Sequence, residues 1–185
     1  YKQSDYISIL SQQIHESLDG VNYDHLLFSY HGLPTRHIKK RDLTGSHCKL
    51  DENCCYETSV AHDFCYRHQC FATTQAVAKT LNLKPQTYSN AFQSRLGIDP
   101  WLEPFTASEV KKLAQNGVKN LAVVSPAFVS DCLETLEEIA MEAKEFFIAA
   151  GGENLIFIPC LNDRADWVQL MAKWISEWEL EPVFL

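Results

Sequence analysis

Leu121–Glu142 reads LAVVSPAFVSDCLETLEEIAME. It opens on four apolar residues, Leu121 to Val124, the length and texture of a buried strand. Ser125-Pro126 breaks the run, and a helix is expected from near Asp131 to about Ala150, closed by Gly151-Gly152. Asp131 followed three residues later by Glu134 has the form of a capping box. The helix then sets Glu134, Glu138 and Glu142 four residues apart, on one face. Like charges at that spacing repel, so the column costs stability unless a cation or protons sit beside it. Acidic residues are also ordinary on solvated helix faces and near helix N-termini, so the column alone selects neither reading.

The same alternation extends outward. Asp5–Leu18 has helical apolar spacing and stops at Asp19-Gly20. His25–Tyr30 is a strand-length apolar run ending in the loop His31-Gly32-Leu33-Pro34. Gln69–Leu83 is helical, Pro85 breaks it, and Thr87–Gln93 reads as a second strand. Thr106 with Glu109 suggests a capped helix stopping at Gly117. Asn120–Val124 is the third strand, Leu155–Ile158 the fourth, and Asp163 caps a last helix that frays by Glu181-Pro182. Strands alternating with helices predict an α/β fold, Rossmann-like, with a parallel four-stranded sheet flanked by helices and right-handed crossovers.

In such folds ligands bind outside the carboxyl ends of the strands. Those ends carry Tyr30-His31-Gly32, Gln93-Ser94-Arg95, Ser125 to Phe128 leading to Asp131 and Glu134, and Pro159 to Asn162. His31 can accept a proton or ligate a metal near neutrality; it can equally be a loop histidine held by a hydrogen bond. Facing Asp131 and Glu134 across a cleft, the functional reading is the stronger. Arg95 suits a carboxylate or phosphate on a ligand, or is a solvated charge. Trp101, between prolines, can wall an apolar pocket or pack locally, and Tyr30 and Phe128 carry the same ambiguity.

The 185 residues suit one domain. A 46% apolar content supplies a core, and a net charge of −8 argues against nucleic-acid binding. No apolar run approaches the roughly 18 residues of a membrane span, and no signal peptide opens the chain. Tyr1 is not an initiator residue, so a longer parent is expected. Seven cysteines in a chain with no secretion signal point to metal or cofactor ligation in a reducing, cytoplasmic setting. Five of them, Cys48, Cys54, Cys55, Cys65 and Cys70, fall in or beside a polar stretch from 36 to about 68. That stretch has too few large aliphatic residues to fold by apolar burial alone, which favours a metal staple. Dense thiolates suit an iron–sulfur cluster or Zn²⁺. The spacing is not that of a zinc ribbon, although His47, His62 and His68 keep zinc open.

Five blocks carry a resemblance. They are Leu27 to Pro34, Gln69-Cys70 with Thr73-Thr74, Phe92 to Gly97 with Pro100 to Pro104, Pro126 to Glu138, and Pro159 to Asn162. In this order, over nearly the whole chain, they resemble the C-terminal half of the ferrochelatase family of class II chelatases. The resemblance implies one chelatase domain over 1–185, with a cysteine-rich insert at about 36–68. It implies a porphyrin cleft between two similar Rossmann-like halves, of which the N-terminal one is missing here. The activity implied is insertion of Fe²⁺ into protoporphyrin IX to form protohaem, with peripheral membrane contact. His31 matches the family's essential histidine, Glu134 its acidic partner, and Asp131 lies in the same motif. Glu138 and Glu142 match an acidic ladder for the metal. Tyr30, Gln93, Arg95 and Trp101 are then porphyrin-binding. A [2Fe–2S] cluster is expected on Cys48, Cys55, Cys65 and Cys70, with Cys54 as substitute for Cys55. Cys132 departs from members with histidine there. A chelatase for another metal or tetrapyrrole, or a non-enzymatic iron–sulfur or zinc module, stays open.

Overall fold

A computed structural model describes residues 1–51 and 53–180. The chain runs α1 (Ser4–Leu18), β1 (His25–His31), α2 (Thr35–Lys40), a 3₁₀ turn (Val60–Phe64), α3 (Tyr66–Thr80), β2 (Tyr88–Gln93) and α4 (Thr106–Gln115). It continues through β3 (Asn120–Val124), α5 (Leu133–Leu136), a π-helical segment (Glu138–Ala143), α6 (Lys144–Ala149), β4 (Asn154–Phe157) and α7 (Ala165–Leu180). The expected fraying at Glu181-Pro182 lies outside the described residues.

All strand pairs are parallel and the order is β2-β1-β3-β4. Successive side chains of a strand point to opposite faces, and β1 divides accordingly. Leu26, Phe28 and Tyr30 enter a core with Ile7, Leu10 and Ile14 of α1 and Phe71 and Val77 of α3. Leu27 joins Val110 and Leu113 of α4, Ile139, and Phe147 of α6 on the other face. Both faces of the inner strands are covered, so β1 and β3 read as near-continuous apolar runs, while the edge strand β2 is more polar. Truncating a side chain as buried as Phe28 to alanine costs about 3–5 kcal/mol.

The chain leaves β1 toward β2 on one side and returns to β3 on the other. The crevice between the carboxyl ends of β1 and β3 is therefore the topological switch point, where open α/β sheets bind ligands.

The acidic helix differs from its expectation. It starts at Leu133 rather than Asp131, and its cap is Cys132. The Cys132 N–H donates to Thr135 Oγ1 at 3.0 Å, so the box uses Cys132 and Thr135 while Asp131 is engaged elsewhere. Nor is it one α-helix: Glu138–Ala143 is π-helical, with the Glu142 N–H donating to Glu137 O at 2.9 Å. Such segments cluster at functional sites, and hydrophobic periodicity carries no warning of one. The i+4 column is accordingly not straight beyond Glu138. The Thr106–Glu109 box is also absent; α4 has Phe105 at its cap, and the Thr106 hydroxyl turns inward to Ser29.

Candidate active site

His31 is the last residue of β1, half-buried at the switch point. Its Nδ1 lies 2.6 Å from the Gly32 carbonyl oxygen. A carbonyl only accepts, so Nδ1 holds the proton of the neutral ring and Nε2 is the nitrogen with a free lone pair. The Phe128 ring, from the turn after β3, sits 6.0 Å from the imidazole centroid. Gly32 is tied to β2 by its N–H, which donates to Gln93 O at 2.7 Å. A Cβ on Gly32 would fall 2.9 Å from that oxygen and 3.3 Å from Trp101 Cε3. Only glycine lets Trp101 and the end of β2 close so tightly against the residue after His31.

Gln93 ends β2 in register with His31. It is only 5% exposed, with Oε1 2.7 Å from Ser29 Oγ and Nε2 bonded to the Glu134 carbonyl. Ser94 follows at φ +64°, in the left-handed region that bulky residues avoid. Its hydroxyl donates to Glu138 Oε2 at 2.8 Å.

The two nearest carboxylates are pushed in opposite directions. Hydrogen bonds from the Cys132 thiol and from its own backbone N–H lower the Glu134 pKa, and the His31 charge adds to this. Burial raises that of Glu138, against the Ser94 hydrogen bonds, and the Glu134 charge pushes the same way. Both carboxylates feel His31, so the three groups share one electrostatic neighbourhood. Glu138 and Glu142 line a cavity with Ser94, Arg95 and Phe146.

Asp131 turns the other way. Its carboxylate accepts from Asn162 Nδ2 at 2.8 Å and from the Cys160 N–H at 3.1 Å, while its own N–H donates to Asn162 Oδ1 at 2.8 Å. Burial opposes ionisation there, but the donated hydrogen bonds prevail and the pKa falls. Asp131 thus clamps the turn before α5 to the segment after β4. Tyr30 is buried, its hydroxyl 2.8 Å from Thr74 Oγ1. Arg95 is exposed and stacks 4.5 Å over the Phe105 ring. Half-buried Trp101 donates from Nε1 to Leu96 O at 3.0 Å. Ser94 and Asn162 fall in the strand-end segments but carried no role of their own, and Tyr66, which donates to His31 O, lies outside those segments; all three roles depend on tertiary placement, and no local pattern announces them.

The cysteines divide. Cys48, Cys54, Cys55 and Cys65 line one small enclosed pocket with His47, His62 and Asp42. Cys55 and Cys65 are neighbours whose interaction raises the Cys55 pKa and lowers that of Cys65. Arg67 Nη1 lies 3.6 Å from Cys55 Sγ. Cys70 is absent from this pocket; it is buried beside Tyr66 in an aromatic cavity between α1, α3 and α7, its thiol pushed up to about 12 by burial. Among the described residues, no group of three or more His, Cys, Asp or Glu side chains is arranged to hold a metal ion. No helix there is long and apolar enough to cross a membrane.

The ferrochelatase family model matches residues 1–178. A ferrochelatase of Opitutus terrae is 48% identical over 156 residues, covering 84% of this chain and 45% of the relative. One of Pseudomonas entomophila is 46% identical over 173 residues, 93% of this chain and 51% of the relative. One of Pseudomonas syringae pv. tomato is 47% identical over 169 residues, 91% of this chain and 49% of the relative. The chain thus spans about half the length of the curated relatives it matches. With a family model over nearly all its length and relatives this similar, the chain belongs to the ferrochelatase family.

Proposed function

We propose that this chain carries the metallation site of a ferrochelatase, which inserts Fe²⁺ into protoporphyrin IX to give protohaem. The observation that supports the reading best is the grouping of His31 with two carboxylates of opposite pKa displacement at the switch point. Metal insertion removes two pyrrole N–H protons as Fe²⁺ enters, so the site needs proton acceptors and an anionic path for the ion. His31 accepts a pyrrole proton at Nε2. Glu134, held ionised, stabilises the imidazolium that results and guides the cation. Glu138, whose proton is held more tightly, passes protons outward as Glu142 and the cavity beside it admit Fe²⁺. The rest of the porphyrin pocket comes from the half of the relatives that this chain does not match, with Trp101 and Arg95 as this chain's candidates for porphyrin contact. A non-enzymatic module is disfavoured by the family. The test uses the full-length protein carrying this sequence, with Fe²⁺ and protoporphyrin IX and loss of porphyrin fluorescence as readout. His31→Ala should abolish insertion with folding intact; near-wild-type turnover overturns the assignment.

Cys48, Cys54, Cys55 and Cys65 supply thiol donors of the kind a [2Fe–2S] cluster takes, although they are not arranged as a ligand set in this structure, and we propose the cluster on them rather than on Cys70. Their common pocket supports this, and so does the depressed pKa of Cys65, because the thiolate is the ligand form. The cluster would supply one-electron redox chemistry or a structural staple. Visible absorption of purified protein decides: bands beyond about 400 nm mean iron–sulfur, and a colourless protein means zinc or no metal.

Peripheral membrane contact is supported by the loop after β2, where Leu96 is 82% and Ile98 104% exposed. The Arg36–Asp99 ion pair, 3.2 Å, ties that loop to the basic run Arg36–Arg41, and apolar tips beside cations suit an anionic lipid surface. Seven free thiols support a reducing, cytoplasmic setting.

A further inference from the structure

Gln93 sits where three elements meet the acidic helix, and the direction of every hydrogen bond it makes can be deduced. The Glu134 main-chain oxygen can only accept, so the amide must turn its NH₂ end toward α5. Oε1 then faces Ser29 Oγ at 2.7 Å and Ser125 Oγ at 3.4 Å, and the Ser29 hydroxyl donates to it. Ser29, its proton so committed, accepts from Thr106 Oγ1 at 2.8 Å. The result is a one-way chain: Thr106 to Ser29 to the Gln93 carbonyl, and from the Gln93 amide to Glu134. It ties β1, β2 and the start of α4 to the first turn of α5. The β3 exit reaches it through Ser125.

We propose that Gln93 is a positioning residue for Glu134, and through it for the π-helical segment, rather than a porphyrin contact. The reasons are its burial, the engagement of both ends of its amide and its register with His31. The side chain is only 5% exposed, Oε1 faces two hydroxyls and one amide N–H is spent on the Glu134 carbonyl, so only the second N–H is uncommitted, in a place a ligand reaches poorly. Its Cα pairs with His31, and its amide holds the backbone of Glu134. Gln93 therefore fixes the separation of the base from its carboxylate partner. α5 is a single turn, too short to hold its own geometry, so the grip from β2 sets where Glu134 stands. Ser94 adds a second hold, on the Glu138 side chain.

The inference rests on the ferrochelatase reading for its kinetic arm and is independent of it for its structural arm. In the full-length protein, Gln93→Met keeps length and removes both hydrogen-bonding ends. Gln93→Glu keeps the acceptor and removes the donor. Both should lower kcat for Fe²⁺ insertion roughly tenfold to a hundredfold, the scale of a misplacement of about 1 Å, with KM for protoporphyrin IX within about twofold. The introduced carboxyl regains a donor when protonated, so Gln93→Glu should recover as pH falls while Gln93→Met should not. A rise in KM with kcat unchanged would make Gln93 a porphyrin contact and overturn the proposal. In hydrogen exchange, peptides covering 133–143 should exchange faster in both variants, with β1 and β3 protection unchanged. Unaltered exchange there overturns the proposal whether or not the protein is a chelatase. A wild-type protein that fails to metallate porphyrin, with that exchange raised in the variants, overturns only the functional reading.

Discussion

The Tyr66 hydroxyl donates to the main-chain carbonyl of His31 across 2.9 Å. Tyr66 is the first residue of α3 and Cys65, at the wall of the thiol pocket, is its cap. One side chain therefore joins the cysteine-rich segment to the candidate base. Burial pushes the Tyr66 pKa up, so the phenol remains a donor at any working pH. Tyr66→Phe removes one hydrogen bond and should destabilise the protein by about 1 kcal/mol, read as a denaturant midpoint. It should also slow insertion while leaving any insert chromophore intact. Loss of the chromophore instead would make Tyr66 part of the insert's own scaffold.

Glu138 gives a pH-dependent prediction. Its carboxyl is harder to ionise in the folded protein, so the folded state binds the proton more tightly. Its stabilising contribution is complete below the ordinary glutamate value, about 4.3, and is lost as pH rises through the higher folded value. Glu138→Gln should therefore raise stability at neutral pH relative to the parent, with the difference vanishing near pH 4. The same variant should metallate more slowly. A variant less stable than the parent at pH 7 would mean that the Ser94 hydrogen bond outweighs burial.

Asp131→Ala should act chiefly on stability. It removes the hydrogen bonds that an ionised group accepts from Asn162 Nδ2, the Cys160 N–H and, more weakly, Thr135 Oγ1, and a loss of about 2–3 kcal/mol is expected. Asp131→Asn should retain part of it. If Asp131→Ala abolishes insertion at unchanged thermal stability, the carboxylate has a chemical role and the clamp is secondary.

Cys54→Ser and Cys70→Ser separate the two ligand assignments for the insert. The pocket predicts that Cys54→Ser loses the visible bands and Cys70→Ser keeps them; the reverse restores Cys70. Reading them needs only an absorption spectrum and iron and sulfide content.

The sheet was legible, to within a residue or so at each strand end, because the inner strands β1 and β3 are buried apolar runs and the edge strands β2 and β4 are short segments set between helices and breakers. The site was legible as a set of strand ends, since topology alone brings Tyr30-His31, Gln93-Ser94 and Ser125 to Phe128 to one edge. Orientation was not. Asp131 and Glu134 share a motif, yet one faces Asn162 and the other His31's neighbourhood, a difference decided by where α5 begins. That start depends on the Cys132–Thr135 cap, an unusual pairing with no propensity signal. The π segment escapes an i+4 reading because its hydrogen bonds reach one residue further. Four thiols in one pocket and a fifth outside it follow from how residues 41–51 and 53–65 pack against α3, which a stretch without periodicity does not disclose.

β1 lies inside the sheet, with β2 on one flank and β3 on the other, both parallel to it. Parallel neighbours cannot be joined by a tight turn, so each contact waits for a whole crossover to close, and such non-local pairing is slow. His31 and Glu134 approach only when the crossovers flanking β1 are both in place. A nascent or damaged chain can offer loose carboxylates and thiols to iron, but it has no base in register with them. The proposed grouping of base and carboxylates therefore assembles only on completion of the sheet, and a half-built chain holds its carboxylates without the histidine they are to work with.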